Sequence, residues 1–239
     1  MEPIQIEKVS NTQIARPKLL LFDVYETLLD MSLVEKRINS LLDNKRGYAL
    51  WFELFMQYCF VDNCIEQFNP FPNIARATLQ MAGKILGKKV ADNEVDDLLL
   101  QLKHLPVKEG VAEGLSMLHD QGYRIAALTN SAQQIVEDRM ERTGLISYFE
   151  KVLSAEHVGK YKPSLEVYQW ATKQLGVEAN EVLLISAHGW DIAGACNAGM
   201  HTAYIVQDSQ MLYPLAPTPA LQARSIEGLA NELRKFFGE

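Results

Sequence analysis

Polar residues that could do chemistry stand at the ends of short apolar runs in this chain. Asp23 closes the run Lys18-Leu-Leu-Leu-Phe, and an ionised carboxylate in that position is a candidate nucleophile. Thr129-Asn130-Ser131 closes a second run, and Ser186-Ala-His-Gly-Trp-Asp191 closes a third. A fourth polar site, Lys160-Tyr-Lys-Pro163, follows a further short run. Cysteine and histidine point elsewhere. Cys59, Cys64 and Cys196 are odd in number and lack CxxC spacing, and the five histidines form no HExxH pattern. The cysteines therefore read as free thiols, and neither a disulfide framework nor a metal site is expected.

These residues act together only if the elements beneath them converge. Lys18–Phe22 is a continuous apolar stretch that suits a parallel strand buried on both faces, with Asp23 at its carboxyl end. Between about Ser32 and Leu105 the apolar residues recur at helical spacing over 33–42, 49–60, 75–86 and 95–102, with Asn69-Pro-Phe-Pro72 and Gly87-Lys-Lys89 as breakers. After Pro106, strands over 123–128, 151–154, 182–186 and 202–206 alternate with helices over 111–118, 133–143, 165–175, 193–198 and 226–237. Such alternation predicts an α/β fold, a doubly wound parallel sheet with helices on both faces. The expected organisation is a core of residues 1–31 and 106–239 with a helical cap, 32–105, inserted after the first strand. The Pro-rich stretch 213–219 reads as a surface loop. Parallel strands bring Asp23, Thr129-Asn130, Ser186 and the lysine segment to one sheet edge, where ligands bind in such folds.

Taken in order, Asp23-Val-Tyr-Glu-Thr27, Thr129-Asn130, Lys162-Pro163 and Asp191 resemble the four motifs of the haloacid dehalogenase superfamily, over about residues 18 to 206. Phosphatases of that superfamily carry a second Asp two residues after the nucleophile; here Tyr25 stands there, and it cannot serve as a general acid at neutral pH. The Asp-x-Tyr-x-Thr pattern, Tyr168 six residues after Lys162, and Ser186-x-x-x-Trp190-Asp191 are similar to the (S)-2-haloacid dehalogenases. That resemblance implies a hydrolase of short (S)-2-haloacids, free of metal and cofactor. Asp23 would attack the halogen-bearing carbon, and water would then hydrolyse the resulting aspartyl ester to a 2-hydroxy acid. It also implies that Lys162 holds Asp23 ionised and is anchored by Asp191. Thr27 and Thr129 would hydrogen-bond the carboxylates, Asn130 and Tyr168 would line the pocket, and Ser186, His188 and Asp191 would position the hydrolytic water.

Three positions depart from the family pattern. Glu26 replaces a usual Gly before the motif-one Thr, Phe52 follows Trp51 where the family has an Arg, and His188 replaces an Asn. Glu26 must point outward or change the pocket; it is most simply expected as a solvated side chain, with no role assigned. Phe52 is a candidate wall of the cleft, and His188 could act as a base for water, which Asn cannot. Trp190 is expected to brace its loop or touch substrate, and Tyr25 to border the site. The aromatics Trp51, Phe52, Phe55, Tyr58 and Phe60 read as helix–helix core or as the face of a homodimer. Two other readings use the same residues: a magnesium-dependent phosphatase of a small phosphate ester, which Tyr25 disfavours, and a non-catalytic binding protein, which Glu26 and Phe52 favour.

Composition sets outer limits. The 239 residues are 48% hydrophobic and 22% charged, ordinary for a globular enzyme. A formal net charge of -7 disfavours nucleic acid as a partner. No apolar run is long enough to span a membrane, and Met1–Lys18, with Glu2 and Glu7, lacks a leader pattern. A cytoplasmic enzyme acting on a small carboxylate is the expected outcome.

Overall fold

The computed structural model describes residues 14–208 and 210–238; residues 1–13, read above for a leader pattern, lie outside it. A six-stranded parallel sheet runs through the molecule in the order β3-β2-β1-β4-β5-β6. The strands are β1 (Leu19–Phe22), β2 (Arg124–Thr129), β3 (Lys151–Ser154), β4 (Val182–Ser186), β5 (His201–Ile205) and β6 (Leu221–Ala223). Every residue of β1 is buried, which explains its unbroken apolar sequence, because a central parallel strand is covered on both faces. The chain leaves β1 toward β2 and β3 on one side and returns to β4 on the other. The order therefore reverses beside Asp23, where a crevice opens at the carboxyl ends of the strands.

Four helices, α1 (Ser32–Leu41), α2 (Gly47–Cys64), α3 (Phe71–Ile85) and α4 (Asp92–Gln101), lie between β1 and the next core helix, α5 (Val111–Asp120). The remaining helices are α6 (Gln133–Arg142), α7 (Leu165–Leu175), α8 (Gly189–Asn197) and α9 (Ile226–Phe237). Their faces follow from spacing. In α9, Ile226, Leu229, Ala230 and Leu233 are buried at intervals of three and four, and the Ser225 side chain accepts from the Gly228 N–H to cap the first turn.

Sequence and structure part in a few places. The Asn69–Pro72 breaker does not precede α3 but enters it: Pro72 sits in the first turn, where a missing N–H costs no helical bond. Helix α8 begins at Gly189 rather than 193, so Trp190 and Asp191 belong to its first turn. The three-residue strand β6, too short for a visible alternation, lies beyond the Pro-rich stretch and is not among the strands expected from sequence. In the aromatic stripe of α2, Trp51 and Phe55 are buried and stacked, with Phe52 packed on Phe55, as expected for a helix–helix core.

One close approach ties the fold to the chemistry. A Cβ on Gly194 of α8 would lie 2.5 Å from Pro163 Cβ and 2.6 Å from the Tyr168 hydroxyl. Glycine there lets α8 pack onto the segment that carries Lys162. Gly194→Ala is expected to lose roughly 1–3 kcal/mol of stability and several degrees of melting temperature, about 2–4 °C for each kcal/mol at this chain length. Thermal unfolding followed by circular dichroism measures it, and an unchanged melting temperature would contradict the close packing.

Candidate active site

Asp23 continues β1 by one residue, its N–H bonded to the Ile185 carbonyl of β4 at 2.9 Å. Its side chain is buried, and both oxygens are engaged. The Lys162 ammonium donates to Asp23 Oδ1 at 2.9 Å, and Thr27 Oγ1 donates to Asp23 Oδ2 at 2.7 Å. Thr27 is itself held by the Ala187 N–H at 3.0 Å. Lys162 has no exposed surface and uses all three ammonium hydrogens, on Asp23, on Asp191 Oδ2 at 2.7 Å and on the Leu128 carbonyl at 2.9 Å. Burial would raise the Asp23 carboxyl, but Lys162 and His188 outweigh it and hold Asp23 well below the usual carboxylate range. Burial would likewise lower Lys162, and Asp191 and Asp23 more than reverse that. Asp23 is thus an ionised, oriented carboxylate at the switch point of the sheet.

Asn130 forms the frame around the lysine. Its Oδ1 accepts from the Lys162 N–H at 2.7 Å and its Nδ2 donates to the Lys162 carbonyl at 3.2 Å, so the amide clamps the backbone of the segment it faces. Tyr168 is fully buried beneath the site, where it donates to Asp191 Oδ1 at 2.6 Å. It does not reach the cavity wall expected for it; it orients the carboxylate that orients Lys162. Ser186 is also buried away from the cavity, and its Oγ accepts from the His188 N–H at 3.1 Å. Thr129 lines the cavity and accepts from the Ser131 N–H at 3.1 Å.

The larger correction concerns Glu26, which is not solvated. It is 7% exposed and adopts φ 58°, the left-handed region that favours glycine, a strain of about 1–3 kcal/mol for other residues. That conformation turns its carboxylate inward. Glu26 Oε2 lies 2.8 Å from His188 Nε2 and accepts from Gln210 Nε2 at 3.0 Å, while Oε1 accepts from the Tyr48 hydroxyl at 2.7 Å. Lys108 and Gln207 donate to its backbone carbonyl. On its other side, His188 Nδ1 lies 3.1 Å from Asp23 Oδ2. Both ring nitrogens therefore face acceptor-only carboxylates, and both bonds form only when both nitrogens carry hydrogen. Burial alone would lower His188, but the hydrogen bonds and charges of Asp23 and Glu26 overcome it and push its pKa up to about 9. Glu26 is held below its ordinary value, as His188 and Tyr48 outweigh its burial.

A small cavity of about 40 Å³ borders Asp23 and runs between the strand ends and the helices of segment 32–105. Trp51, Phe52, Phe55 and Met56 of α2 and Phe71 of α3 form its upper wall, with Tyr25, Thr129, Asn130, Ser131, His188 and Trp190 below. His188 is sandwiched, 5.8 Å from the Phe52 ring and 5.0 Å from the Trp190 ring, both nearly parallel to it. Phe52 is thus a cleft wall and a brace for the imidazole. Tyr48, Ser131, Lys108 and Gln210 are not among the site residues expected from sequence. Only Ser131 carried a signal, as the next residue after Asn130 at a strand end. Among the described residues, no cluster of three His, Cys, Asp or Glu side chains is arranged to hold a metal ion.

Fold and site together define an α/β enzyme built on a strand-end carboxylate locked by a buried lysine. A sequence profile of haloacid dehalogenase-like hydrolases matches residues 20–205, and the chain belongs to that family. It is 29% identical to (S)-2-haloacid dehalogenase 4A of Burkholderia cepacia over 82% of this chain and 86% of that one. It is 25% identical to (S)-2-haloacid dehalogenase of Pseudomonas sp. strain YL over 93% and 97%. Among solved structures, the L-2-haloacid dehalogenase RSc1362 superposes with a TM-score of 0.85 at 25% identity, covering 92% of this chain and all of that one.

The ring of His188 gives a direct test. Its pKa is raised from 6.5 to about 9 in the folded state, so protonated His188 contributes stability that is complete below about pH 6.5 and lost as pH rises through about 9. Stability against chemical denaturant should therefore fall across that window, and the fall should be shallower in Glu26→Gln. An NMR titration of the His188 ring reads the same quantity; a midpoint near the unperturbed value would contradict the two-carboxylate environment.

Proposed function

We propose that the chain hydrolyses short (S)-2-haloacids to 2-hydroxy acids through an ester on Asp23, without a metal. The observation that carries this reading is the state of Asp23: ionised, oriented by Lys162 and Thr27, and bordering a cavity walled by aromatic side chains. Asp23 Oδ1 accepts only from Lys162 among the described residues, which leaves it a lone pair for attack on the halogen-bearing carbon. The new C–O bond forms as the carbon–halogen bond breaks, and halide leaves with the bonding electrons. No proton is needed in this step, which suits a motif-one Tyr25 that is no general acid.

Esterification then changes His188. The charge of Asp23 that helped hold its second proton is gone, so the imidazole pKa falls and the proton departs to solvent. Neutral His188, kept in place by Glu26, Phe52 and Trp190, takes a proton from water as the water oxygen attacks the carboxyl carbon of Asp23. Collapse of that intermediate breaks the bond from the Asp23 carboxyl carbon to the product oxygen; the second water proton passes to that oxygen, the hydroxy acid leaves, and the restored carboxylate again holds the protonated His188. Residue 26 is thus part of the base, and a serine-held backbone at His188 and the Lys162–Asp191–Tyr168 chain keep the two stages in register. Segment 32–105 acts as the cap over this cavity. The free cysteines suit a reducing cytoplasm, and no helix among the described residues is long and apolar enough to cross a membrane.

Purified protein is expected to release halide from (S)-2-bromopropionate and bromoacetate in the presence of EDTA, and Asp23→Asn to reduce that release by at least about a thousandfold. Release that survives in Asp23→Asn, or that requires magnesium, would sink the ester mechanism. His188→Ala and Glu26→Gln are expected to lower kcat by about 10²–10⁴-fold while keeping a burst of one halide per enzyme. Rapid quench followed by intact mass spectrometry should find the ester accumulated on Asp23; loss of the burst in both variants would place the pair in the first step instead.

A further inference from the structure

Arg139 is a buried cation held by neutral groups. It lies on the buried face of α6 and is 1% exposed. Among the described residues it forms no ion pair with any carboxylate. Its guanidinium donates to the Tyr25 hydroxyl and to the Leu102 carbonyl, its Nε has no partner, and its carbon sits 4.8 Å from the centre of the Tyr25 ring. A buried, unpaired charge is costly, and a protein keeps one where something else compensates it. Both neutral partners of Arg139 lie on the cavity wall: Tyr25 and Leu102 border the space beside Asp23.

Hydrogen-bond counting shows what this cation delivers. The guanidinium can only donate, so the Tyr25 oxygen accepts from it. The Tyr25 hydroxyl and Ser131 Oγ are 3.0 Å apart and share one hydrogen bond, in which either can donate. Two hydroxyls hold two hydrogens and use one between them. Whichever way that bond runs, one O–H hydrogen of the pair is left over, and both residues line the cavity. The two cations on the wall itself, Lys162 and His188, are committed to Asp23, Asp191 and Glu26. A carboxylate entering this cavity thus finds its donor in the Tyr25–Ser131 pair and its countercharge in Arg139 behind it.

We propose that Arg139 is a positioning residue for the carboxylate of a small monocarboxylic substrate, acting through a relay of Tyr25 and Ser131. This deepens the haloacid reading and rests on it for the identity of the substrate, while the preference for an anion stands on the geometry of the relay alone. It also assigns Tyr25 a purpose of its own, as the hydroxyl that carries the field of a buried arginine to the cavity wall.

The test uses the full-length protein and the variants Arg139→Met, Arg139→Lys and Ser131→Ala, with two readouts: steady-state halide release from (S)-2-chloropropionate, and binding of propionate followed by tryptophan fluorescence. Arg139→Met and Ser131→Ala are each expected to raise KM and the propionate Kd by about 10- to 100-fold with kcat changed far less, and propionamide binding should not move. Arg139→Lys should recover part of the loss, and the Arg139→Met/Ser131→Ala pair should be no worse than the poorer single variant, because both interrupt one relay. If Arg139→Met does not fold, Ser131→Ala and Tyr25→Phe carry the test, since both keep the arginine. Folded variants with unchanged KM and unchanged propionate affinity overturn the proposal, as does an equal loss for propionate and propionamide, the mark of a merely structural arginine. Absence of halide release from the wild type would defeat the haloacid reading separately; propionate binding that is lost in Arg139→Met would still uphold the relay, and wild-type protein that binds no propionate would end it.

Discussion

A single ammonium group organises this protein. Lys162 has no exposed surface, and removing a charge from water costs several kcal/mol unless partners replace the lost hydration. Here replacement is complete: two carboxylates and one backbone carbonyl take its three hydrogens. Each partner comes from a different strand end, Asp23 after β1, Leu128 in β2 and Asp191 beyond β4. The interaction therefore cannot form until three non-adjacent parts of the chain are in place. The same geometry makes Asp23 an oriented anion. Folding and the orientation of that carboxylate thus share a cause.

The surrounding features follow from the need to keep that lysine and its carboxylates dry and aligned. Asn130 clamps the lysine backbone from both sides, Tyr168 fixes the far oxygen of Asp191, and Gly194 permits α8 to approach closely enough for Tyr168 to reach it. Aromatic side chains from α2 and α3 close the top of the cavity. They exclude water without adding charge, and a low local dielectric strengthens the ion pairs beneath them. A second polar unit, Glu26 with His188, leans on the first through Asp23 Oδ2, so the protonation of the histidine answers to the charge of Asp23. Arg139 approaches from the opposite side through Tyr25.

Much of this was legible in the sequence, and the reason is local. A strand buried on both faces must be apolar without interruption, and a helix packed on one face must repeat at three and four, so β1, β4, α7 and α9 could be read with correct or nearly correct bounds. Parallel order then places strand ends on one edge, which brings Asp23, Thr129, Asn130, Ser186 and Lys162 to that edge from the sequence alone. Short elements escaped: β6 has three residues, too few for a period, and the start of α8 lies in a run of polar and small residues that reads equally well as a loop.

What the sequence determined alone is the frame: a doubly wound sheet, a helical segment after the first strand, and a carboxylate with a lysine at its open edge. Periodicity and strand order carry that information because they depend on each segment's own pattern of burial. Tertiary structure decided how the side chains use the frame. Glu26 looked like a solvated residue, yet a left-handed backbone at that one position turns it onto His188. Arg139 carries no signal in the sequence, yet it faces inward onto Tyr25. Tyr168 looked like a pocket wall and is a prop for Asp191. Each outcome depends on a partner more than twenty residues away, and contacts of that range leave no trace in local spacing. They exist only once the chain has closed on itself.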